Sequence, residues 1–145
     1  MKTAAKQDLL AKFLLRPCQW DATAAAWSRL LPHDSPEFYG NLLSKLVKEG
    51  TAAAYELTGP DGRIAIMVAS INREYAEPKL TIWAAISPDN NRTLTEDFLP
   101  QIEAKARELG CRTVAFHTMR PGLLEKAMRL GYRTCEVICR KDVNP

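Results

Sequence analysis

The side chains of this 145-residue chain best suited to proton transfer, nucleophilic attack or metal ligation are His33 and His117 and four cysteines: Cys18, Cys111, Cys135 and Cys139. A zinc site would have to draw on Cys111, His117, Cys135 and Cys139. The last two lie in Tyr132–Arg140, which reads as a strand. Four strand residues span about 13 Å, whereas zinc holds each sulfur at about 2.3 Å, so Cys135 and Cys139 share a face but cannot share an ion. No metal is expected, and Cys135, Val137 and Cys139 read as a buried apolar stripe. Without a secretory signal the thiols are expected to be reduced in a cytoplasmic protein.

For proton transfer, His117, Glu56 and Glu74 are the candidate bases. Histidine is the residue type that exchanges protons near neutral pH, and His117 stands late in a predicted strand. Arg92 and Arg120 fall at loop ends, where a guanidinium could meet a phosphate or carboxylate. No Ser/His/Asp arrangement, phosphate-binding P-loop or spaced carboxylate pair occurs.

These residues need a scaffold. The composition, 46% hydrophobic and 26% charged, suits one soluble domain and excludes collagenous and disordered classes. No apolar run reaches the roughly 20 residues of a membrane helix. The net charge is +3, too small to argue for nucleic acid, although residues 110–145 hold 7 basic against 3 acidic groups. Those cations lack the interleaved aromatics of a single-strand binder.

The first third reads as helical. Leu9, Leu10, Phe13 and Leu14 share one helical face, and Arg16-Pro17 ends it. Asp21 caps a second helix striped by Trp20, Ala24 and Trp27, and Pro32-His33-Asp34 breaks it. Ser35 and Pro36 open a third, stopped by Gly50. Residues 1–34 are thus expected to form a helical extension packed on a domain of residues 35–145.

Strands are predicted over Thr51–Thr58, Arg63–Asn72 and Lys79–Ser87, with Gly59-Pro-Asp-Gly62 as a turn. The second and third are apolar on both faces, as in a sheet covered on both sides. Trp83 is read as core. A helix follows from near Thr93, with Pro100 awkward in its first turns. Then come a strand over Arg112–Thr118, a helix over Pro121–Leu130 and a last strand over Tyr132–Lys141. Strand–helix–strand crossovers favour parallel neighbours. The expected fold class is α+β: a mixed, mostly antiparallel three-layer sheet of about six strands, with a crevice where the antiparallel meander hands over to the crossover units.

This order resembles the GCN5-related N-acetyltransferase (GNAT) fold over roughly Ser35–Lys141. The strongest stretch runs from Glu103 to Phe116 and on through Leu130-Gly131-Tyr132-Arg133, which is similar to the glycine–aromatic step of that family. The resemblance implies an acetyl-CoA site. Its thioester carbonyl would meet backbone N–H groups near Ala85 and Ile86. Its pyrophosphate would meet the loop before a helix, here Asn90-Asn-Arg-Thr-Leu-Thr95. The family's glycine-rich pattern is replaced there: Asn90 stands for Gln or Arg, and Thr93 and Thr95 for glycines, with Arg92 and Leu94 between. Ala127 occupies the place of a tyrosine that protonates the departing thiolate, and Arg120 replaces a helix-opening Asn. The family's final hairpin is reduced to one strand, so the sheet is short by a strand or completed by a second copy, a homodimer.

Two functions follow from the resemblance. One is acyl transfer from acetyl-CoA to a small-molecule or protein amine, with His117 or Glu56 as base. The other is a GNAT-fold protein without catalysis that binds a protein or nucleic acid, as an accessory protein of a phage or prophage. Neither involves a membrane.

Overall fold

The computed structural model describes residues 14–30, 36–73, 77–88, 94–117, 121–136, 139 and 141–144. Among these residues five strands form one sheet: β1 (Leu14–Pro17), β2 (Ala53–Gly59), β3 (Gly62–Asn72), β4 (Lys79–Ile86) and β5 (Thr113–Phe116). The order is β1-β2-β3-β4-β5. The first four pair antiparallel, and β5 lies parallel to β4. Four helices accompany them: α1 (Ala22–Ser28), α2 (Pro36–Lys48), α3 (Leu94–Glu108) and α4 (Pro121–Arg129). The α+β class, the meander and the parallel crossover agree with the pattern of the sequence.

Two-sided apolar strands explain the layering. Ala65, Met67 and Ala69 of β3 join Leu80 and Ile82 of β4 beneath Phe98, Leu99, Ile102 and Ala106 of α3. On the other face Val68, Ala84 and Ile86 pack with Leu43 of α2, flanked by Trp20, Trp27 and Tyr39. Burying large aliphatic side chains at about 25 cal/mol per Å² supplies the main drive for this sandwich. No helix of the described residues is long and apolar enough to cross a membrane.

Local signals explain where the helices start and stop. Asp21 is extended and its carboxylate accepts the Ala24 N–H at 2.8 Å, which starts α1. At the end of α4, Gly131 adopts φ +93°, a conformation that costs glycine little. That turn lets Tyr132 N–H reach the Ala127 carbonyl at 3.0 Å and Gly131 N–H the Met128 carbonyl at 3.1 Å.

The structure departs from the sequence pattern at both ends of the chain, and it accommodates Pro100 in the helix expected from near Thr93. Leu14–Pro17 is not the end of a helix but the edge strand β1, with Leu14 opposite Thr58 and Arg16 opposite Glu56. The residue before proline favours extended backbone, and proline is tolerated on a sheet edge. Helix α3 begins at Leu94 and runs through Pro100, which faces solvent while Phe98, Leu99 and Ile102 anchor the turn around it. The last strand is absent at Tyr132–Glu136, which gives five strands among the described residues instead of about six. Cys135 and Cys139 are exposed, not a buried stripe, and Val137 lies outside the described residues. Tyr132 is held by its contacts with Phe116 and Glu103, and Arg133–Glu136 after it are exposed, with no apolar pair among them to bury against the sheet.

Candidate active site

The site is built where β4 and β5 part. Their pairing runs from Lys79↔Thr113 to Ile82↔Phe116 and stops there, whereas β4 continues to Ile86. No described strand flanks Trp83–Ile86 on that side. In an antiparallel ladder every second residue turns its N–H and C=O away from the partner strand. The end of β4 therefore presents backbone groups to the gap with no strand to meet them.

A β-bulge sits at the branch. Val68 pairs with Ala84 and Ala69 with Ile82, which leaves Trp83 as the extra residue. One extra residue reverses the side-chain phase. Leu80 and Ile82 face α3, while Ala84 and Ile86 face α2. Ile86 therefore stands on the face opposite Leu80 and Ile82, where unbroken alternation would have put it beside them. Ala85 is exposed and Ile86 is buried, so the backbone between them lines the gap with little side chain in the way.

Trp83 is 41% exposed, not core. Its indole N–H donates to Ser70 Oγ at 2.9 Å, and its backbone carbonyl accepts from the Tyr39 hydroxyl at 2.7 Å. Burial pushes the Tyr39 hydroxyl's pKa up, so it stays a donor. On the β5 side, His117 is exposed one residue beyond the last β4–β5 pair. Phe116, just before it, packs its ring 5.5 Å from that of Tyr132. The Tyr132 hydroxyl donates to Glu103 Oε2 of α3 at 3.2 Å. Burial first, and then the Glu103 charge and hydrogen bond, raise the Tyr132 pKa. The Gly131-Tyr132 step thus fixes the end of β5, and with it His117, against α3.

Glu56 lies elsewhere and is fully engaged. It alternates with Tyr55 and Leu57, which face α3, so its carboxylate emerges on the α1 side. Arg63 Nε meets its Oε2 at 2.6 Å and Arg16 Nε its Oε1 at 2.9 Å. Arg63 also grips Asp21, NH2 to Oδ2 at 2.8 Å. Burial would raise the Glu56 pKa, but the hydrogen bonds from Arg63 and Arg16 outweigh it and hold the carboxyl low. Asp21 is lowered as well, first by its hydrogen bond from Arg63. A carboxylate so held is a poor proton acceptor at neutral pH.

The sequence matches no family model and no curated protein. Solved structures do match it in three dimensions. A GCN5-related N-acetyltransferase from Ralstonia eutropha JMP134 aligns at TM-score 0.68 and 12% identity, covering 91% of this chain and 99% of that one. An aminoglycoside 6'-N-acetyltransferase from Acinetobacter baumannii aligns at 0.63 and 19%, covering 92% and 99%. An aminoglycoside N-acetyltransferase in complex with CoA aligns at 0.55 and 16%, covering 91% and 95%. The chain has the GNAT fold.

The exposed Ala85 and the unflanked backbone of β4 leave that side of the strand uncovered by the described residues. Leu94 and Thr95 form the first turn of α3, where backbone N–H groups and the helix dipole favour an anion. Asn90, Arg92, Thr93 and Arg120 lie outside the described residues, as do Glu74 and His33. Ala127 is buried at 2% exposure, and its side chain has no proton to give. Among the described residues no group of three or more His, Cys, Asp or Glu could hold a metal.

The structure brings Ala85, Ile86 and His117 to one gap and leaves Glu56 two strands away. Trp83 and Tyr39 went unrecognised in the sequence. A bulge has no fixed residue signature, and Trp83-Ala84-Ala85 carries no glycine to flag one.

Proposed function

We propose that the chain binds acetyl-CoA or a related acyl-CoA in the β4–β5 gap and transfers the acyl group to an amine. The carrying observation is the stretch Trp83–Ile86, a strand end with a bulge at its root and no strand beside it. The CoA complex of a protein with this fold supports the ligand class. Bound acyl-CoA would supply an activated acyl group, and the remaining tasks fall to this chain. Of Ala85 and Ile86, the one whose N–H turns away from β3 would hold the thioester oxygen, on a backbone set by the bulge and by the Tyr39 hydrogen bond. The first turn of α3, with Arg92 and Arg120 contributing cations, would hold the phosphates. His117 would take the proton of the attacking ammonium. Ala127 cannot serve as an acid, which leaves protonation of the departing thiolate to solvent.

Acetyl-CoA should raise the thermal midpoint of the purified protein by mass action. Arg92→Ala should reduce that rise. Absence of any rise at millimolar acetyl-CoA would overturn the reading. It would favour the second one, a non-catalytic GNAT-fold protein binding a protein or nucleic-acid partner, toward which the buried Ala127 points. Nucleic-acid affinity would then fall steeply with salt.

A further inference from the structure

Trp83 is an unusual residue to leave in water. A tryptophan has more apolar surface to bury than any other side chain, yet this one is 41% exposed, one residue past the last β4–β5 pair. The bulge places it there, and two hydrogen bonds hold it. The indole N–H is satisfied by Ser70 Oγ at 2.9 Å, and the carbonyl by the Tyr39 hydroxyl at 2.7 Å. Because its N–H is already used within the protein, the exposed ring offers a ligand only its π surface. Such a surface attracts cations and apolar groups. A ring fixed beforehand also loses little freedom when it binds.

The surroundings narrow the ligand further. Ser70, Thr81, Ala84, Ala85 and Tyr39, the described residues that adjoin Trp83 by register or hydrogen bond, include no carboxylate. Asp21 and Glu56, on the same face of the sheet, are taken by Arg63 and Arg16. A polycation would find no counter-charges among these residues. A single ammonium on an apolar stem would find the ring.

We propose that Trp83 is the acceptor platform, holding a primary amine on an apolar, arylalkyl-type stem at the α2 side of the gap. Its role as acceptor site rests on the acyl-transfer reading, but amine binding to the ring can be measured without it. The test uses the full chain and phenethylamine as probe. The Trp83 indole N–H resonance is assigned by its loss in Trp83→Phe. It should shift saturably with phenethylamine and far less with spermidine. Trp83→Ala should weaken phenethylamine by about tenfold or more, as expected for the loss of one aromatic contact to a cation and its stem. Trp83→Phe, the fallback if the alanine variant misfolds, should weaken it less but measurably. An unmoved Trp83 resonance, equal binding of spermidine, or wild-type affinity in the variants would overturn the proposal. Acetyl-CoA is titrated into the same samples. Phenethylamine binding without acetyl-CoA binding leaves the platform standing and removes the transfer reading. Acetyl-CoA binding without phenethylamine binding does the reverse.

Discussion

The two ends of the sheet hold polar groups in opposite ways. At the β1–β3 end, Asp21, Arg63, Glu56 and Arg16 satisfy one another in a single chain of ion pairs. At the β4–β5 end, an exposed ring, an exposed imidazole and unflanked backbone are held in place by neighbours but not consumed by them. The first end has the charge and the second has the free capacity. Charge density therefore marks architecture in this molecule, and unmet backbone capacity marks the proposed site.

If that division is right, breaking the first end should cost stability and spare ligand binding. Glu56→Ala leaves the poorly exposed Arg63 with Asp21 as its remaining ion-pair partner and should lose about 2 kcal/mol in denaturant unfolding. The Arg16 arm is largely exposed and contributes little of this. The acetyl-CoA response should persist at low temperature. The pH dependence has a definite sign. Asp21 and Glu56 have folded pKa values below their ordinary ones, so their contribution is complete above the carboxylate range. It is lost as pH falls through and below about 4, and Glu56→Gln should flatten that acid limb.

The second end should respond in the opposite way. His117→Ala should lower kcat by about 10²-fold. It should leave unfolding free energy within about 0.5 kcal/mol, as for an exposed substitution.

Two smaller effects locate the supports of each end. A Cβ on Gly40 of α2 would stand 2.5 Å from Ser28 Oγ of α1, so Gly40→Ala should overpack that crossing. The cost should be about 2 kcal/mol, and Ser28→Ala should recover part of it. Tyr132→Phe removes the hydrogen bond to Glu103 and should cost about 1 kcal/mol. Because the Tyr132 pKa is raised on folding, its contribution is full below the ordinary tyrosine pKa of about 10 and falls as pH rises above it. The phenylalanine variant should lose less stability over that range.

Much of this architecture was legible because its causes are local. Asp21 capped the helix it was expected to cap, glycines closed helices, and β3 was apolar on both faces because helices cover both. His117 fell at the mouth of the gap because a strand can be counted to its end. What stayed hidden depended on distant partners. Leu14–Pro17 continued a helical stripe but was claimed by Glu56 and Thr58, some forty residues away. Glu56 looked like a base until its two arginines were in place. Trp83 looked like core because its alternation is changed by a bulge that only the pairing with β3 reveals.

On the proposed function, ligand binds at the unflanked end of β4 and not at the charge-rich end of the sheet. The most direct test is to follow backbone amide resonances during titration with acetyl-CoA. Saturable shifts are expected at Ala85 and Ile86, with Ala54 and Glu56 of β2 nearly still. Shifts confined to β2, or none at Ala85 and Ile86 at saturating ligand, would contradict it.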